Sequence, residues 1–254
     1  MTTELPRATV FLDADNTLWD TDAVFASAQL ALLNDLEISA GCRIEDLDRL
    51  AFVRAIDQAL AERHHDGLRY PPTLLVRAIS RALVEGEAGA RAAKHAWLGQ
   101  RGSILSANDE DAIVASYFSN LKSTPVLRPG VTEGMAKFSQ AGCFVLIVSE
   151  AAYKRTEATA VTLGLEGTFE RVIEGRKRPE LYRRVLKLAG SPARAFMIGD
   201  QLDRDIAPAN AAGLTTIFFP GGFQPRWSPE EQDVQPDHRI DRFDQAVPIV
   251  LDHT

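Results

Sequence analysis

The spacing of apolar residues changes character twice along this chain. Ala8 to Leu12 is a short apolar run, and Val10, Phe11 and Leu12 predict a buried strand. From Asp20 to about Lys122, apolar residues recur at three- and four-residue spacing with almost no strand-like runs. This predicts helices from Asp22 to about Leu36, about Glu45 to Glu62, Pro71 to about Leu83, Ala88 to Leu98 and Asp109 to Leu121. Strands and helices then alternate. Helix Thr132–Gln140 precedes a strand from Cys143 to Val148, and helix Tyr153–Leu163 is closed by Gly164. A strand near Arg171–Ile173, a helix Pro179–Leu188 and a strand Ala195–Ile198 follow. A helix from about Asp203 to Ala212, closed by Gly213, leads to a strand Thr215–Phe219. Pro220 to Pro236, rich in Pro, Gly and Gln, predicts a loop.

Alternation of this kind predicts a parallel sheet with helices on both faces. The first strand belongs to that sheet, so the helical stretch is an insertion after it. Three apolar runs end in polar or acidic residues: Asp13 and Asp15, Ser149, and Gly199-Asp200. The carboxyl edge of an open parallel sheet is where ligands bind. Asp13 and Asp15, two positions apart where a strand stops, suit one nucleophilic and one acid/base carboxylate. The same pair also fits a turn initiator with a solvated neighbour.

Further candidates follow the later runs. Asp203 and Asp205 come after Asp200, and Asp203 also suits a helix N-terminus that favours acids. Ser149 could offer its hydroxyl to a ligand at this edge or cap the next helix. Of the neighbours Arg176 and Lys177, the compact ammonium of Lys177 better suits a point contact. So many acids at one edge repel one another. A hard divalent cation relieves the repulsion, and all-oxygen ligands favour Mg²⁺.

The motifs Asp13-x-Asp15-x-Thr17, Ser149, Lys177 and Gly199-Asp200-x-x-x-x-Asp205, in this order, resemble the haloacid dehalogenase superfamily, in particular its phosphatase branch. The resemblance covers residues 7–19 and 124–220. It implies an α/β fold, with a Rossmann-like doubly wound parallel sheet core and a mainly α-helical cap domain. The core would comprise residues 1–19 and 124–254, and the cap residues 20–123. It implies Mg²⁺-dependent hydrolysis of a small phosphorylated metabolite through an aspartyl phosphate on Asp13. Asp15 would act as acid and then base, with a raised pKa and with Thr17 holding its surroundings. Ser149 and Lys177 would bind the phosphoryl group. The Mg²⁺ ligands would be the Asp13 carboxylate, the Asp15 backbone carbonyl and the Asp200 carboxylate, supported by Asp205. A phosphomutase would share these motifs; a haloacid dehalogenase also uses an aspartate nucleophile but needs neither the second carboxylate nor the metal, so Asp15 and Asp200 argue against it. A non-catalytic, receiver-like or scaffold protein is the rival from another class.

Composition narrows the partners. The chain has 254 residues, 45% hydrophobic and 25% charged, ordinary for a globular protein. A net charge of −7 argues against general nucleic-acid affinity. Two cysteines, Cys42 and Cys143, make no disulfide framework, and Cys143 reads as a small buried hydrophobe. No leader or membrane-spanning run is read, so a cytoplasmic location without membrane partners is expected. No phosphate-cradling Gly-rich motif supports a nucleotide cofactor. Within the insertion, Arg69 and Tyr70 follow the adjacent His64 and His65 in a loop-like segment. That loop could read the leaving group of a substrate, or serve as an exposed helix–helix turn.

Overall fold

A computed structural model describes residues 8–44, 48–62, 70–100, 105–190 and 194–252. The described residues form one six-stranded sheet in the order β3-β2-β1-β4-β5-β6, parallel throughout. The strands are β1 Thr9–Leu12, β2 Phe144–Ser149, β3 Arg171–Glu174, β4 Ala195–Gly199, β5 Thr215–Phe218 and β6 His238–Arg239. β1 lies at the centre, where the chain order reverses, and Leu12 pairs with Ile147 on one side and Ile198 on the other. Asp13, Ser149 and Asp200 thereby emerge along one edge, at the switch point where open α/β sheets bind ligands.

Alternate residues of the strands build two cores, as the two-residue strand period requires. Val10, Leu12, Val145, Ile147, Phe196, Ile198 and Ile217 pack with helices α6 (Val131–Gln140) and α10 (Ala246–Leu251). Phe11, Leu146, Val148 and Met197 pack on the opposite face with Tyr182 of α8 (Pro179–Leu188) and Ala209 of α9 (Ala207–Asn210). Phe11 and Tyr182 meet edge to face, with ring centroids 5.4 Å apart. Full burial of each such ring contributes about 1.5–3 kcal/mol. Cys143 is buried in the first core.

The helices α1 Thr21–Ala40, α2 Arg49–Ala61, α3 Pro72–Val84, α4 Gly89–Trp97 and α5 Ala107–Asn120 enclose a core of their own. Leu32, Leu33 and Leu36 meet Val53, Ile56 and Leu60 there, with Val76, Ile79, Ala93, Ile113 and Tyr117. The chain divides into two compact units. One is Met1–Asp22, Pro125–Gln224 and Ser228–Thr254, and the other is Ala23–Thr124 with Pro225–Trp227. No helix among the described residues is long and apolar enough to cross a membrane.

Several elements differ from the sequence expectation. α2 starts at Arg49 because Asp48 caps it, its side chain accepting the Ala51 N–H at 2.8 Å. Residues 45–47 lie outside the described residues. Ser106 likewise starts α5 ahead of Asp109, accepting that residue's N–H at 3.2 Å. The helix expected over 203–212 divides into a π-helical turn, Leu202–Ile206, and α9. Pro208 has no N–H to offer an ordinary helical ladder at that point. α7 (Tyr153–Thr162) and α8 match their periodic patterns. β6 and α10, after the loop over 220–236, are too short for periodicity to reveal.

Candidate active site

The site is built on the sheet edge and lies wholly within the first unit. Asp13 follows β1, and its N–H donates to the Ile198 carbonyl of β4 at 2.9 Å. Asp13, Asp200 and Asp205 are buried, with carboxylate oxygens within 4.8 Å of one another. Lys177 reaches between them, donating to Asp13 and, at 2.6 Å, to Asp205. Its side chain is 5% exposed, whereas Arg176 points outward and is exposed. Asp205 is turned inward by the π-helical turn, and its other oxygen accepts the Gln201 N–H at 2.9 Å. Gly199 permits this approach, since a Cβ there would collide with the Asp205 side chain. Asp203 is exposed at the start of that turn.

Lys177 thus pairs with two of the three buried carboxylates, while Asp200 feels the charges of Lys177 and Arg128 without an ion pair to Lys177. Burial pushes the Asp13 carboxyl up to about 7; Lys177 opposes the rise and Asp205 adds to it. Burial, then the charges of Asp13 and Asp205, holds Asp200 well above the ordinary carboxylate range. Burial opposes the charge on Lys177, but Asp13 and Asp205 hold its pKa above the ordinary value. A raised carboxyl and a raised ammonium point in opposite directions for a simple ion pair. They agree once the surplus of acids is counted: the ammonium is retained, and the carboxylates lack a full complement of positive charge.

That deficit fits a cation. Asp200 Oδ1 is buried and has no hydrogen-bond partner among the described residues. A Cβ on Gly221 would come 2.9 Å from the other oxygen, so only glycine leaves the Asp200 carboxylate unobstructed. The donor set of Asp13 and Asp200, with Asp205 nearby, is all oxygen and anionic, which suits a hard divalent ion. Asp205 already uses both oxygens, on Lys177 and on Gln201, and so serves to anchor the lysine.

Asp15 does not join this cluster through its side chain. Its Oδ1 accepts Thr21 Oγ1 at 2.6 Å and Trp19 Nε1 at 3.0 Å. The expected role of Thr17 is therefore corrected: Thr21 and Trp19 hold the Asp15 carboxylate. The N–H groups of Thr17, Leu18 and Trp19 all turn onto the Ala14 carbonyl. That turn returns Trp19 and Thr21 to Asp15 and leaves Thr17 fully buried, its hydroxyl without a partner among the described residues. Ser149 is buried, and its Oγ accepts the Ala151 N–H at 3.0 Å. It is not the cap of α7, which begins after Ala152.

Of the insertion residues, Arg69 lies outside the described residues, as do His64 and His65. Tyr70 packs against the helical core and donates its hydroxyl to Asp57, which also accepts Gln29 Nε2 at 3.0 Å. Sequence reasoning did not find Thr21, Gly221 or Arg128. Thr21 reads as an ordinary first-turn residue, Gly221 as loop composition and Arg128 as one basic residue among many. Their roles depend on contacts with other loops.

Comparison with known proteins agrees with this arrangement. Residues 8–213 match the haloacid dehalogenase-like hydrolase family, and the chain belongs to it. A phosphoglycolate phosphatase of Nitrosococcus oceani is 31% identical over 139 residues, covering 52% of this chain and 60% of that protein. A glyceraldehyde 3-phosphate phosphatase of Methanopyrus kandleri is 28% identical, over 55% of this chain and 62% of its own length. The chain thus spans about three fifths of the length of these curated relatives. Among solved structures, a haloacid dehalogenase-like hydrolase of Xanthomonas campestris superposes with TM-score 0.62 at 22% identity, covering 97% of this chain and 96% of its own. The hydrolase YfnB of Bacillus subtilis, solved with magnesium bound, gives TM-score 0.63 at 19% identity, over 97% and 99% of the two chains. At these identities the structures show the shared fold.

Proposed function

We propose that this chain is a Mg²⁺-dependent phosphatase of small phosphorylated metabolites. The observation that carries the reading is the buried Asp13–Lys177–Asp205 group beside the unpartnered oxygen of Asp200. Residues 1–19 and 124–254 would form the catalytic core, and residues 20–123 a cap.

Asp13 attacks phosphorus, the P–O bond to the leaving group breaks, and Asp15 gives that oxygen its proton. Water then attacks the aspartyl phosphate, Asp15 takes a proton from the water, and inorganic phosphate leaves as the Asp13 carboxylate is restored. Lys177 holds Asp13 in place and offsets charge on the phosphoryl oxygens, and the Ser149 hydroxyl can donate to one of them. The Asp13 and Asp200 carboxylates and the Asp15 backbone carbonyl would hold Mg²⁺, with Asp205 supporting them through Lys177. Bound there, the ion neutralises the acids and the substrate phosphate. The phosphatase names of the relatives support a small phosphate ester as substrate. Arg69 and Tyr70, in the insertion, are proposed to help select the leaving group.

The test is phosphate release from phosphoglycolate, glyceraldehyde 3-phosphate and ribulose 1,5-bisphosphate, with Mg²⁺ and with excess chelator. Turnover that needs Mg²⁺ and falls about 10³-fold or more in Asp13→Asn is expected. Stoichiometric labelling without turnover would favour a receiver-like protein. Full activity in chelator, or in folded Asp13→Asn, overturns the reading. Tyr70→Phe and Arg69→Ala in the same panel should change the substrate ranking and leave the Mg²⁺ requirement intact.

A further inference from the structure

Asn16, directly after Asp15, has φ of 60° and is the only non-glycine residue with positive φ among the described residues. Asparagine tolerates this left-handed region better than most residues, but the conformation still has to be held. Both peptide planes beside Asn16 are fastened. Its N–H donates to the Trp19 carbonyl at 2.8 Å, and its carbonyl accepts Arg128 Nη1. Its side-chain Oδ1 accepts the Asp22 N–H at 2.8 Å. A trans peptide is planar, so the Asp15 carbonyl must point opposite to the Asn16 N–H. The bond from the Asn16 N–H to Trp19 therefore orients the Asp15 carbonyl, and Arg128 holds the peptide plane that follows it.

Arg128 also holds the loop after β5. Nη1 donates to the Phe219 carbonyl at 3.1 Å and Nη2 to the Pro220 carbonyl at 2.8 Å. Its guanidinium lies 3.5 Å from the centroid of the Phe219 ring. The next residue, Gly221, is the one whose Cβ would meet Asp200 Oδ2 at 2.9 Å and Asn16 Cβ at 3.3 Å. One half-buried guanidinium thus ties together the two loops that flank the Asp200 carboxylate. A planar fork with several fixed donors can serve three carbonyls from two loops; an ammonium cannot match that geometry.

We infer that Arg128 is a positioning residue for the cation site: it steadies the Asn16 turn that follows the Asp15 carbonyl, and the Gly221 backbone, around Asp200. This rests on the Mg²⁺ reading above. Loss of a group that orients metal ligands typically weakens metal affinity 10- to 100-fold.

The test is calorimetric titration of MgCl₂ into wild type, Arg128→Met and Arg128→Lys, with thermal unfolding in chelator as a separate measure of the fold. Met keeps much of the stem and removes every donor; Lys keeps the charge without the fork. The expected result is Mg²⁺ binding about tenfold weaker or more in Arg128→Met, and an intermediate loss in Arg128→Lys. A merely structural arginine would lower the melting temperature and leave the Mg²⁺ dissociation constant unchanged. That result in folded Arg128→Met overturns the inference. Should Arg128→Met fail to fold, unchanged affinity in Arg128→Lys overturns it and weakened affinity supports it. A wild-type protein that binds no Mg²⁺ overturns the functional reading and this inference together. Wild-type binding with unchanged variant affinity overturns the role of Arg128 alone.

Discussion

Replacing Lys177 by Met tests the electrostatics of the site without reference to any substrate. Lys177 is the ammonium among three buried carboxylates, with its own side chain 5% exposed and those of Asp13 and Asp205 8% and 1%. Removing one partner of a buried pair typically costs about 3–5 kcal/mol, because the other charge stays behind without compensation. The cost should depend on pH, and its sign follows from Asp13. Its carboxyl rises from 3.8 to about 7 on folding, which corresponds to about 4 kcal/mol. Between those values the folded state binds more protons than the unfolded state, so stability falls as pH rises through this window. Below about 7 the folded carboxyl is largely neutral, and loss of the ammonium matters less. Above about 7 the carboxylate is ionised in the wild type, so loss of Lys177 costs more there, up to the point at which Asp13 of the variant takes up a proton. Urea unfolding of wild type and Lys177→Met in chelator, at pH 5.5 and 8.5, measures this from midpoint shifts at constant slope. We expect a penalty of up to about 3–5 kcal/mol at pH 8.5, a smaller one at pH 5.5 where only the pair with Asp205 is lost, and partial recovery at pH 8.5 on adding Mg²⁺. An equal penalty at both pH values would refute the reasoning.

Two further outcomes follow from the same geometry. Asp200→Ala should weaken Mg²⁺ binding far more than Asp203→Ala in calorimetric titration, because Asp200 is buried with an unpartnered oxygen and Asp203 is exposed. Gly221→Ala should weaken Mg²⁺ binding by displacing the Asp200 carboxylate, whereas Gly222→Ala, whose Cβ would meet only Asp22 Oδ2 at 3.6 Å, should match wild type; equal affinities for both variants would show that the β5 loop yields without disturbing the site.

The sequence was sufficient for the layered core because strand periodicity and burial are local properties. The runs at β1, β2 and β4 alternate between two apolar faces and end in polar residues, so a parallel sheet with a chemical edge is legible from them. The acids of that edge were legible too, since Asp13, Asp15 and Asp200 follow their strands directly. The head-group chemistry favoured Lys177 over Arg176 without deciding between them, and the structure places Lys177 on Asp13.

What the linear order could not supply is whatever depends on one loop meeting another. Thr17 lies within the first motif, yet the turn onto the Ala14 carbonyl buries it and brings Thr21 and Trp19 to Asp15 instead. Asp205 rather than Asp203 faces the lysine because a π-helical turn, with Pro208 after it, interrupts the expected helix. Pro225–Trp227 groups with the helical unit through the Arg226 N–H, which Gln58 Oε1 accepts at 3.0 Å. Arg128 carries no motif, and its importance lies in three carbonyls brought to it from residues 16, 219 and 220. Hydrophobic periodicity records which face of an element is buried, and so the sequence alone determined the elements and the edge where chemistry occurs. The partners of each polar group are settled only when loops far apart in sequence close on one another, which is why tertiary structure decided how the acids are held.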